Sequence, residues 1–168
     1  MLYPSRPVHT GAAPVAPAGV LPPHSTRATT AQPGVPEPDS EREELLFEVD
    51  AVQQAGFAGV KSGMMGGDLI AQGEKQLAAS PVAEYTDFFA HGMGLISHEV
   101  PFLMTNHPVT YEAEDRERQL ETGMVLSIET TMLHPKRGFI KLEDTIAITD
   151  EGYEMFGERG RGWNCSGE

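Results

Sequence analysis

From residue 40 onward, apolar residues recur at helical spacing. Leu45, Leu46, Val49, Val52 and Phe57 fall on one side of a chain wound at about 3.6 residues per turn. Ser40-Glu41-Arg42-Glu43 just before them has the form of a capping box, in which hydroxyl and carboxylate each satisfy an orphan N–H. Gly63 is the expected stop. A second helix is predicted from about Asp68 through Leu69, Ile70 and Leu77 to Ala79, with Pro81 just beyond it. Both helices read as scaffold.

The period then changes from helical to two. Between Phe88 and Thr149 the chain reads as strands and turns, and Gly123 to Glu129 and Phe139 to Ile146 alternate. His134-Pro135-Lys136-Arg137-Gly138 between them is a strong turn signal. Pairing the two strands symmetrically about Lys136 predicts Glu129 opposite Glu143, Ser127 opposite Thr145 and Thr131 opposite Lys141. The other face pairs Met124 with Ile148, Leu126 with Ile146 and Met132 with Ile140, with Asp144 as its polar exception. Helices followed by an antiparallel sheet make the fold class α+β.

Opposed glutamates repel, because directly paired residues hold their Cβ atoms only ~4.5–5.5 Å apart. Such a pair needs a carboxyl that keeps its proton, a cation between the two, or the nearby Lys141 as counter-charge. The hairpin alone leaves metal pair, catalytic pair and lysine-neutralised pair open. Upstream, His91-Gly92-Met93-Gly94 leads to His98-Glu99. Glycines flanking imidazoles point to backbone held close to a neighbour and to side chains free to ligate or to carry protons. One imidazole with two carboxylates is a mixed N/O set suited to Mn, Fe, Co or Zn.

Composition adds a boundary. Nine of the thirteen prolines precede Ser40, so residues 1–39 are expected to be a disordered Pro/Ala-rich lead, 40–164 the folded domain and 165–168 a tail. A net charge of −13 without a Lys/Arg stripe argues against nucleic acid. The single cysteine, Cys165, excludes a disulfide framework within the chain. No apolar run has the length of a membrane span, and the N-terminal alanines and prolines form no signal-peptide core, so a cytoplasmic protein is expected.

The runs H-G-M-G-L-I-S-H-E-V-P, G-M-V-L-S-I-E-T and K-L-E-D-T-I-A-I-T-D-E-G, in that order, resemble the pita-bread metallopeptidase family. That family takes in aminopeptidase P, prolidase, methionine aminopeptidase and creatinase-like proteins, and the pattern here is nearest to its Xaa-Pro aminopeptidase-like members. The resemblance runs from about Ser40 to Asn164. It implies His91, Glu129 and Glu143 as metal ligands, with Glu143 the glutamate that bridges two ions in the family. It also implies His98 as the residue that assists substrate binding and proton transfer. The implied reaction is hydrolysis of an N-terminal or Xaa-Pro peptide bond by a metal-activated water. The implied cofactor is a divalent ion, Mn2+ first, with Co2+, Zn2+ or Fe2+ as alternatives. His107 is a candidate substrate contact, and a homodimer or a complementing chain is the expected assembly.

The family site also uses two aspartates from earlier strands. Asp39 and Asp50 have a tempting spacing, but one ends the Pro-rich lead and the other lies in a helical run, so neither is assigned. The expectation is an incomplete pita-bread fold, N-terminally truncated relative to the family, with three of five ligands and at most one ion per chain. Two other readings follow. One is a catalytically inactive fragment or pseudoenzyme. The other is a metal-free small-molecule binder or non-peptidase hydrolase on the same fold.

Overall fold

The computed structural model describes residues 28–29, 38–103, 114–156 and 162–164. The predicted substrate contact His107, the cysteine and most of the Pro-rich lead lie outside those residues. Within the lead, Ala28–Thr29 forms a short strand, β1.

Helix α1 spans Ser40–Phe57. Asp39, and not Ser40, is its N-cap: the carboxylate accepts from the Arg42 N–H at 3.0 Å. Asp39 also pairs with the guanidiniums of Arg42 and Arg137, which ties the start of α1 to the turn of the hairpin. The helix stops at Phe57 and does not reach Gly63; Gly59, at φ 72°, already reverses the chain. Helix α2, Gly66–Ala79, begins two residues before the predicted start and ends where predicted.

Five strands follow in one antiparallel sheet: β2 (Thr86–Gly92), β3 (Glu99–Phe102), β4 (Val125–His134), β5 (Gly138–Ile148) and β6 (Tyr153–Met155), in the order β3-β2-β4-β5-β6. A last strand, β7 (Trp163–Asn164), pairs in parallel with β1. The hairpin has the predicted register, with Glu129 facing Glu143, Ser127 facing Thr145 and Thr131 facing Lys141. The Ile148 N–H donates to the Met124 carbonyl at 2.8 Å, continuing that register one pair further.

The helices cover one face of the sheet. Phe88, Ala90, Leu126, Ile128, Ile146 and Ile148 point to them and form the larger core with Val52, Phe57, Leu69 and Ile70. A second cluster joins Leu45, Leu46 and Val49 of α1 to Met132, Ile140 and Leu142, with Trp163 packed against it. The Phe88 ring lies between Gly56 of α1 and Gly73 of α2, where any Cβ would overlap it. Gln53 Nε2 donates to the Ile128 carbonyl at 2.8 Å and fixes α1 over the central strand. None of the described helices is long and apolar enough to cross a membrane. Asp115, among the charged residues Glu114 to Arg118, is buried: it accepts from the Phe102 N–H at 2.8 Å and holds edge strand β3.

Candidate metal centre

The face of the sheet away from the helices carries the polar residues. In β2, alternation puts Phe88 and Ala90 in the core and turns His91 to the opposite face, beside Ser127 of β4. From β4 come Ser127, Glu129 and Thr131, and from β5 Lys141, Glu143 and Thr145. His91 is 1 % exposed and Glu129 5 %.

His91, Glu129 and Glu143 each offer a ligand atom, and these atoms lie within 4.8 Å of one another. Among the described residues this is the one such group with the make-up of a metal site. His91 Nδ1 is 3.1 Å from the Gly92 carbonyl oxygen, which can only accept, so Nδ1 carries the proton. Nε2 then presents its lone pair, buried, without a hydrogen-bond partner and 3.8 Å from Glu143 Oε1. Burial holds the imidazole below its usual pKa, against the opposing pull of the Gly92 carbonyl, and so favours the neutral form. A ring fixed through Nδ1–H to a backbone carbonyl and open at Nε2 is the arrangement of a metal-ligating histidine. These residues fit a divalent ion.

The glycines flanking His91 have a local reason. A Cβ on Gly92 would run into the Val100 carbonyl, and one on Gly94 into the Glu99 carboxylate. The neighbour expected from the H-G-M-G run is therefore β3 itself, brought against β2 where the register shifts between His91 and Gly92.

Each carboxylate has a hydroxyl donor. Ser127 Oγ donates to Glu143 Oε1 at 2.5 Å, and Thr131 Oγ1 donates to Glu129 Oε1 at 2.7 Å. Lys141 Nζ bridges the pair, 2.9 Å from Glu129 Oε1 and 3.0 Å from Glu143 Oε2. Burial raises the Glu129 pKa, and the bonds from Thr131 and Lys141 offset it only in part. Burial pushes Glu143 the same way, but Ser127, Lys141 and His91 together outweigh it and bring its pKa down. Lys141 is pushed down by burial and pulled up more strongly by the two glutamates, so its ammonium is held charged.

His98 lies in the exposed loop between β2 and β3, its ring stacked on His91 with centroids 4.2 Å apart. Its Nδ1 is 3.2 Å from Ser97 Oγ. The two histidines and the two glutamates of the sequence reading thus come together, while His107 lies outside the described residues. Asp39 caps α1, and Asp50, within α1, accepts from Gln54 Nε2 at 3.3 Å; neither joins the group. Sequence reasoning missed Ser127 and Thr131 as partners of the carboxylates. Their signal was their place beside the glutamates on the polar face of the hairpin.

A model of metallopeptidase family M24 matches residues 24–150. An uncharacterized peptidase of Bacillus subtilis is 31 % identical over 122 residues, covering 70 % of this chain and 31 % of that protein. An Xaa-Pro dipeptidase of Pyrococcus furiosus is 30 % identical over 121 residues, covering 68 % of this chain and 31 % of its own length. The solved prolidase of Pyrococcus horikoshii superposes with a TM-score of 0.62 at 28 % identity, over 74 % of this chain and 34 % of that one. The chain spans about a third of the length of the relatives it matches.

Proposed function

The chain belongs to metallopeptidase family M24, and from that premise we propose that it is a divalent-metal-dependent peptidase acting on small peptides, of the Xaa-Pro dipeptidase or aminopeptidase type. The observation that carries this reading is the buried, unpartnered Nε2 of His91 directed toward Glu143, with Glu129 completing the set. The ligands are His91, Glu129 and Glu143. Mn2+ is the ion proposed first, since a set of one imidazole and two carboxylates favours borderline to hard ions over soft ones.

When bound, the ion supplies Lewis-acid polarisation of the scissile carbonyl and lowers the pKa of water. The chain's own residues do the rest. Ser127 and Thr131 fix the rotamers of the two glutamates, and the Gly92 carbonyl fixes the tautomer of His91. His98, exposed and stacked on His91, contacts the peptide and carries a proton. The Xaa-Pro preference is proposed from the Xaa-Pro dipeptidase and prolidase similarities.

A metal-free or inactive chain is the second reading, and one observation favours it: Lys141 already neutralises the glutamate pair. Elemental analysis of Mn2+-equilibrated protein beside His91→Ala decides between them. About one ion per chain, lost in the variant, supports a site built from these three ligands. About two ions imply further ligands supplied by another part or copy of the protein, and Xaa-Pro dipeptide hydrolysis is then assayed on that assembly. No bound ion sinks the peptidase reading.

A further inference from the structure

Lys141 has no part in the chemistry above, yet it holds the central position of the polar face. Two glutamates opposed across an antiparallel pair repel, and Lys141 answers both. It lies two residues before Glu143 on β5 and diagonal to Glu129 on β4, so one ammonium reaches Glu129 Oε1 and Glu143 Oε2 at 2.9 and 3.0 Å. Those carboxylates are the same two that converge with His91. Any divalent ion drawn to them meets a positive charge already in hydrogen-bond contact with both.

We propose that Lys141 is a resident counter-cation that competes with the divalent ion. Its ammonium clamps Glu129 and Glu143 together in the metal-free chain and swings out to solvent when an ion binds. This rests on the metal reading of the same site and adds a residue that sets its affinity. The chemistry of the neighbours separates their roles. Ser127 and Thr131 are neutral donors and remain compatible with an adjacent dication, whereas an ammonium is repelled by it. Lysine carries its charge on a flexible four-carbon stem, and this side chain is 30 % exposed, so a path to water is open. The two glutamates are its ion-pair partners among the described residues, and it loses little else by leaving.

The test compares the full chain with Lys141→Met by Mn2+ titration calorimetry and by melting of the metal-free proteins. Lys141→Met is expected to bind Mn2+ at least about tenfold more tightly, since a like charge has been removed from the site. Without metal it is expected to melt at a lower temperature. Amine acetylation of the unmutated chain, read by mass spectrometry, gives a measurement that needs no variant to fold. Acetylation at Lys141 is expected to rise severalfold on Mn2+ saturation, with the exposed Lys61 and Lys75 unchanged as internal standards. Mn2+ binding by the variant alone supports the competition for the ion and sinks the peptidase reading of the unmutated chain. If the unmutated chain binds Mn2+ and Lys141→Met binds it more weakly, or Lys141 acetylation stays constant, Lys141 is a positioning partner and the proposal is overturned while the metal site stands. If neither chain binds Mn2+, the metal reading falls and the competition with it.

Discussion

Glu129 and Glu143 face each other in register across β4 and β5, yet they titrate in opposite directions, Glu129 upward and Glu143 downward. The difference lies in their partners. Burial is the largest influence on both and raises both. Glu129 is met by Thr131 and Lys141, which leave it net raised; Glu143 is met by Ser127, Lys141 and His91, which bring it below its usual value. An opposed pair of like residues has become two different groups.

Opposite effects on metal-free stability follow. With its folded pKa raised, Glu129 opposes folding at neutral pH, and the penalty fades as pH falls through that pKa toward the ordinary value of 4.5. Glu143, with its folded pKa lowered, contributes stability above 4.5 that is lost as pH falls through the folded pKa. Glu129→Gln should therefore raise the metal-free melting temperature at pH 7, and Glu143→Gln should lower it. Each difference should shrink as pH falls through that group's folded pKa, first for Glu129 and then, below 4.5, for Glu143. Thermal melts across pH check this, and shifts of the same sign at pH 7 would count against it.

His91 gives a slope in a different window. Its folded pKa is depressed from 6.5 by burial, so the unfolded chain binds more protons than the folded one as pH drops below that value. Stability from this group is present above 6.5 and is lost as pH falls through the folded pKa. His91→Gln should flatten that part of the stability–pH curve, whatever it does to absolute stability. Denaturant titrations between pH 7.5 and about pH 5 measure the slope, and an unchanged slope would mean the imidazole is not held neutral.

Ser127 Oγ donates to Glu143 Oε1 at 2.5 Å from a fully buried position. If Glu143 ligates the ion as proposed, removing such a hydrogen-bond partner typically costs about 10–100-fold in metal affinity. Ser127→Ala should weaken Mn2+ binding by that order, and Ser127→Thr should restore most of it by keeping the hydroxyl. Calorimetric titration of both variants tests the role. Equal losses in Ala and Thr would indicate a packing effect and no positioning of Glu143.

Much of this site was legible because its information is periodic. The turn around Lys136 and the alternation on either side of it permit one register with an apolar inner face, and that register alone opposes Glu129 to Glu143. The order of the H-G-M-G, S-I-E and L-E-D-T runs carried the family resemblance, which the family match over residues 24–150 bears out. Features decided by non-local contact were harder to read. Asp39 and Ser40 are both capping types; Asp39 takes the cap and also pairs with Arg137, far away in sequence in the hairpin turn. Asp115 sits in a run of charges with no periodic signal, and its burial depends on the backbone N–H of Phe102. Lys141 was one of several partners open to the glutamate pair; its span of both carboxylates is a matter of distances within the folded sheet.

The sheet's hold on the site can be tested from its other face. Phe88 precedes Phe89 and His91 on β2, and its ring fills the space between Gly56 and Gly73 where the two helices meet the sheet. A methyl at position 73 would overlap three atoms of that ring, so the ring, the helix or β2 must shift. Overpacking of this kind typically costs about 1–3 kcal/mol, and Gly73→Ala should lose that much in denaturant unfolding despite the better helix propensity of alanine. Gly152→Ala, where a Cβ meets nothing within 4 Å, should change stability by no more than about 0.5 kcal/mol. Phe88→Leu should recover part of the loss when combined with Gly73→Ala, because the smaller side chain frees the volume the methyl needs. Non-additivity of that sign in the double-mutant cycle would place the strain at the ring. Strict additivity would place it elsewhere in α2 and separate the packing of the helices from the strand that carries His91.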